Sequence, residues 1–144
     1  MFNFAKGTIA GLISGVFLGL FLKFIESVTS VKVYMLLLNV DYIPILNNYR
    51  FPEIVEFMLH LIISMILAVL LLYLIAHDQW AKNQVVIRTI SISILIGILL
   101  YPTTAFSERT PALNSMPAIV FWLIGHLLYG WVLSLFFKEK RPSS

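Results

Sequence analysis

The sequence predicts an all-α integral membrane protein, a four-helix bundle with both termini in the cytoplasm. Three observations lead there. Of the 144 residues, 60% are hydrophobic and only 12% are charged, with a mean hydropathy of +0.93. A soluble domain carries about 25% charged residues and needs them to cover its surface. Four apolar stretches approach the roughly 20 residues needed to cross a bilayer. The cations are also shared unevenly between the two sets of connecting segments, which sets orientation in membranes. The same composition argues against a disordered chain. The absence of cysteine excludes disulfide scaffolds, thiol catalysis and Cys-based metal sites. No Asn-x-Ser/Thr sequon occurs. A pI of 9.3 reflects a net charge of only +3, and without a basic cluster or motif no nucleic-acid partner is expected.

The first span runs from about Gly7 to Ile25. Lys6 precedes it, but no A-x-A-like cleavage site follows and the apolar run is long for a signal peptide, so it is expected to be retained. An outer loop covers residues 27–52 and contains an apolar run, Val33–Val40. That run is too short to span and suits an interfacial or re-entrant piece. The second span covers residues 54–76. Pro52 is expected in its first turn, with Glu53 and Glu56 near its positive end. The third, residues 85–101, is short and carries Arg88 near its start, a side chain able to snorkel to the interface. A second outer loop is broken by Pro102, Pro111 and Pro117, and the fourth span covers residues 117–137. No repeat or linker divides the chain, so residues 1–144 form one membrane domain. The inner side holds Lys6, Lys82, Arg88, Lys138, Lys140 and Arg141, against Lys23, Lys32, Arg50 and Arg109 outside. The positive-inside rule then puts both termini in the cytoplasm.

Four of the seven glycines, Gly7, Gly11, Gly15 and Gly19, recur every fourth residue and form one slowly drifting stripe on the first helix. Small faces let helix backbones approach closely in lipid. Two uses remain open. The stripe could be a glycine zipper joining a second copy of the chain or a partner membrane helix, or lining a pore. It could instead pack within the chain against the fourth span, which offers Gly125, Gly130 and Ser134.

The second span carries Glu53, Glu56, His60 and Ser64 within a helical arc of roughly 80°. Such a column must face protein or water rather than lipid. His60 lies about 10 Å below Glu53, and His126 about 13 Å below Pro117, so the two imidazoles fall at similar depth. Trp122 and Tyr129 share the His126 face, offering it a hydrogen-bonding aromatic neighbour, and Lys23 and Glu26 are spaced to pair. This set supports proton handling, since imidazoles titrate near neutrality and buried carboxylates can exchange protons with them. A divalent metal held by Glu56, His60, His126 and Glu53 is a weaker alternative, because E-x-x-x-H is not a specific ligand motif. No metal or other cofactor is therefore expected. Histidines that merely hydrogen-bond across the bundle, with glutamates capping the second helix, form the bland alternative. No nucleophilic triad, Walker loop or Rossmann fingerprint occurs, so no enzyme is expected.

Short motifs in a particular order add a resemblance. They are Gly7-Thr8-Ile9-Ala10-Gly11-Leu12-Ile13-Ser14, Lys23-Phe24-Ile25-Glu26, His60-Leu61-Ile62-Ile63-Ser64, Tyr101-Pro102, Thr110-Pro111 and Gly125-His126-Leu127. Spread over all four spans, they resemble the YagU family of small bacterial inner-membrane proteins. The resemblance implies a multi-span helical fold in the bacterial cytoplasmic membrane, and it carries over no reaction, substrate or cofactor. Lys23, Glu26, His60, Ser64 and His126 sit at matching positions, while residues 27–52 have no counterpart. The functional expectation is a proton-linked or pH-responsive transporter or sensor, with a Glu/His site in the outer half of the membrane. The alternative is an accessory subunit that associates through the glycine helix.

Overall fold

A computed structural model describes residues 2–138. The tail residues Glu139, Lys140 and Arg141 lie outside the described residues. Among the described residues there are no strands. Five α-helices follow in order: α1 (Phe4–Thr29), α2 (Val33–Leu38), α3 (Glu53–His77), α4 (Lys82–Leu100) and α5 (Met116–Phe137). Short 3₁₀ segments of one and two turns cover Leu46–Asn48 and Tyr101–Phe106. Helices α1, α3, α5 and α4 extended by its 3₁₀ turn are the four long and apolar enough to cross a membrane.

The helices outrun the apolar stretches because hydropathy marks lipid-compatible residues, whereas caps mark helix ends. The Asn3 side chain accepts the Lys6 amide at 3.1 Å and starts α1. The helix stops where Ser30 adopts a left-handed conformation, φ 60°, the usual C-terminal geometry although glycine is its commonest occupant. Pro52 is the residue before α3 rather than its first helical residue, and Glu53 and Glu56 occupy the first turn. Asp78 and Gln79 (φ 50°) close α3. The Ala81 amide then donates to the Gln84 side chain at 3.1 Å as α4 begins. Pro102 does not end the third long segment at once, because the chain continues as a 3₁₀ turn to Phe106. The Tyr101 hydroxyl reaches forward to the Ala112 and Ser115 carbonyls and ties this turn to the start of α5.

The packing is two antiparallel pairs, α1 with α3 and α4 with α5, joined where α1 meets α5. Although consecutive, α3 and α4 are barely in contact. The short apolar helix α2 is buried against α1, α3 and α5, with Val33, Leu36 and Leu38 almost inaccessible.

The glycine stripe does not meet the fourth long helix. Gly7 faces Val69, Gly11 faces Met65 and Ser64, Gly15 faces Ser64 and Leu61, and Gly19 faces the Phe57 ring, all on α3. Spacing fixes which face of a helix is small but does not choose its neighbour, which explains the difference. A Cβ at Gly11 would stand 2.6 Å from the Met65 Cα and 2.7 Å from the Ser64 carbonyl oxygen, so here the contact is backbone against backbone. Gly125 instead makes room for Leu18 and Leu22 of α1, and Gly130 for Ile90 and Ser93 of α4.

Candidate functional site

The polar column of α3 faces the glycine stripe of α1. With no side chains in the way, His60 Nε2 comes within 3.1 Å of the Gly15 carbonyl oxygen, and the Ser64 hydroxyl donates to the Gly11 carbonyl at 2.7 Å. What the sequence presents as two separate features is therefore one interface. Ser64 Oγ also lies 2.9 Å from the Tyr129 hydroxyl, which links α3 to α5.

His126 is buried on α5. Its Nδ1 lies 2.9 Å from the Trp122 carbonyl, and its ring lies 4.4 Å from the Trp122 ring, centroid to centroid. The expected bond to an aromatic side chain is thus replaced by one to the backbone. The Trp122 indole N–H goes to the Gly97 carbonyl at 2.8 Å, and the Tyr129 hydroxyl goes to Ser64. Gly97 is needed beside the imidazole, since a Cβ there would approach His126 Cγ to 2.8 Å.

These bonds assign tautomers. A carbonyl oxygen only accepts, so the hydrogen-bonded ring nitrogen must carry the proton. That is Nε2 in His60 and Nδ1 in His126, which leaves a bare lone pair on His60 Nδ1 and on His126 Nε2 when the rings are neutral. Both histidines line one cavity of about 120 Å³ between α3, α4 and α5, with α2 at one end. The other titratable residues on its wall are Tyr42, Glu56 and Tyr129.

Glu56 is not a partner of the histidines. It is 3% exposed, and its two oxygens accept from Arg109 Nη1 and Nη2, each at 2.8 Å. A buried carboxylate needs such a partner. Arg109 also lies 3.9 Å from Asp41 and 3.3 Å from Met35 Sδ, and Asp41 accepts the Ser107 hydroxyl at 2.5 Å. One guanidinium thus fastens both loops and α2 to the start of α3. The bidentate bond to Glu56 holds Arg109 more firmly protonated than usual, against the opposing effect of burial. Sequence reasoning counts Arg109 only as a loop charge. The available signal was Glu56 itself, an acid one helical turn inside an apolar span that requires a cation from elsewhere.

Lys23 and Glu26 do not pair with each other. Lys23 Nζ donates to Glu53 at 2.5 Å, and the Tyr34 hydroxyl donates to the same Glu53 oxygen at 2.9 Å. Glu26 instead accepts the Met35 amide at 3.0 Å, satisfying a free N–H in the first turn of α2. Burial first, then the bond to Glu53, pushes the Tyr34 phenol above its ordinary range and keeps it a donor. These groups surround a second, wider depression of about 440 Å³. Leu38 and Glu56 line both spaces, so α2 and the Glu56–Arg109 pair stand between them.

The four residues considered as metal ligands are therefore not assembled. Glu53 and Glu56 are committed to Lys23 and Arg109, and among the described residues no group of three or more His, Asp or Glu side chains is placed to hold a metal ion. No family model, curated protein or solved structure matches the chain, so the functional reading rests on this geometry.

Proposed function

We propose that this chain is a small multi-pass membrane protein that handles protons at His60 and His126, acting as a proton-linked transporter or a pH sensor rather than as an enzyme. The supporting observation is the pair of tautomers. Each imidazole keeps its hydrogen bond to a backbone carbonyl whether neutral or protonated. Uptake of a proton therefore changes only the nitrogen that is otherwise bare, on two residues that line a shared cavity. In this reading both termini are cytoplasmic and the depression around Lys23, Glu53 and Arg109 opens outward. The Glu56–Arg109 pair and α2 then form the barrier between the outside and the histidines. The resemblance to the YagU family supports placing the protein in a bacterial cytoplasmic membrane.

Two measurements test the reading. In liposomes with an entrapped pH-sensitive dye and a clamped membrane potential, the wild type is expected to dissipate an imposed pH gradient, and His60→Ala and His126→Ala to lose that activity. Equal dissipation by all three overturns the transport form. In a chain whose only tryptophan is Trp122, indole emission is expected to fall as His126 takes up a proton, and to be insensitive to pH in His126→Gln. Emission in the wild type that does not respond between neutral and acid conditions overturns the sensor form.

A further inference from the structure

We propose that the His60/His126 cavity binds a small, mostly apolar molecule bearing a hydroxyl group, of the phenol class, which enters sideways from the apolar phase between α3 and α4.

The entrance follows from the packing. Helices α3 and α4 are joined by a short turn but barely touch, and residues of both line the cavity. Ile63 of α3 lies on the cavity wall and is also 53% exposed on the outside of the bundle, so the space opens at its side chain. The opening lies midway along a helix with the hydropathy of a membrane span, where lipid and not water is the surrounding phase.

The chemical class follows from the lining. Leu and Ile supply nine of the twenty lining residues, with Val40 and Trp122 beside them, which favours an apolar body. An apolar cavity of about 150 Å³ accepts a molecule the size of benzene, and the present space of about 120 Å³ is of the same order. Two imidazoles line this surface, each with one ring nitrogen bonded to a backbone carbonyl and the other left as an acceptor. An acceptor on an apolar wall calls for a ligand that donates. A phenol hydroxyl gives its hydrogen to such an imidazole nitrogen, while a hydrocarbon has none to give.

The inference shares its cavity with the proton reading but is measured by binding, so either can fail alone. The probes are para-fluorophenol and para-fluorotoluene, titrated into the full chain in nanodiscs and followed by fluorine NMR, with empty nanodiscs as the blank. The expected result is saturable binding of the phenol, about tenfold tighter than that of the toluene, as one hydrogen bond made in a dry site supplies. Ile63→Trp, a change at an exposed position that leaves the packed interior intact, is expected to bring phenol binding down to the blank. Equal affinity for the two probes, no saturable phenol binding, or unchanged binding in Ile63→Trp would each overturn the proposal.

Discussion

Truncating Arg109 to alanine strips both oxygens of the Glu56 carboxylate, 3% exposed in the intact protein, of their donors. Removing one partner of a buried ion pair costs about 3–5 kcal/mol, because the remaining charge keeps its desolvation penalty. Here the Arg109 side chain is 34% exposed, so water entering its place recovers part of the loss. The expected cost is therefore near the lower limit, about 3 kcal/mol. The converse change, Glu56→Gln, leaves a guanidinium that water already reaches, and about 1–2 kcal/mol is expected. Lys23→Ala provides the reference, because that pair is 55% and 58% exposed and a surface pair contributes up to about 1 kcal/mol. Equilibrium unfolding of the three variants in mixed micelles by titration with sodium dodecyl sulfate, read by tryptophan fluorescence, compares them directly. If Arg109→Ala costs no more than Lys23→Ala, the assignment of Arg109 as the clasp of the loops is wrong.

The same unfolding assay checks the rest. Gly11→Ala drives a methyl group into the α3 backbone, which cannot move aside as a side chain can, and is expected to cost about 1–3 kcal/mol. Gly125→Ala meets only the flexible tips of Leu18 and Leu22 and should cost clearly less; a reversed order would refute the account of the two interfaces. Tyr129→Phe removes the bond to Ser64 and is expected to cost about 0.5–1.5 kcal/mol. Ser64→Ala also loses the bond to Gly11 and should cost more than Tyr129→Phe.

The four long helices were legible because hydropathy reports directly on burial in an apolar phase. The azimuth of the polar column and of the glycine stripe was legible too, since helical geometry turns spacing into angle. Neighbours were not. Nothing in the spacing of Gly7 to Gly19 distinguishes α3 from α5, and nothing local to Lys23 shows that Glu53 rather than Glu26 is within reach. The Glu56–Arg109 pair joins residues 53 positions apart through a loop whose course no periodicity describes. The run Val33–Val40 reads as apolar and too short to span. Its burial as α2 beneath the loops depends on a gap that only the assembled helices create.

A groove that repeats every four residues has a further property. Shifting α3 along α1 by one repeat, about 6 Å, would offer His60 and Ser64 another pair of glycine carbonyls of the same kind. The stripe therefore supplies adhesion without specifying alignment, like a rack with identical teeth. Alignment must come from contacts that occur only once. One is the buried Ser64–Tyr129 bond to α5, and three lie together at the α2 end: Phe57 against Gly19, Lys23 on Glu53, and Glu56 on Arg109. The indexing of the two helices, and with it the position of His60, is thus held in part by an exposed ion pair, Lys23 on Glu53, at one rim of the molecule, where the composition of the surrounding water can act on it.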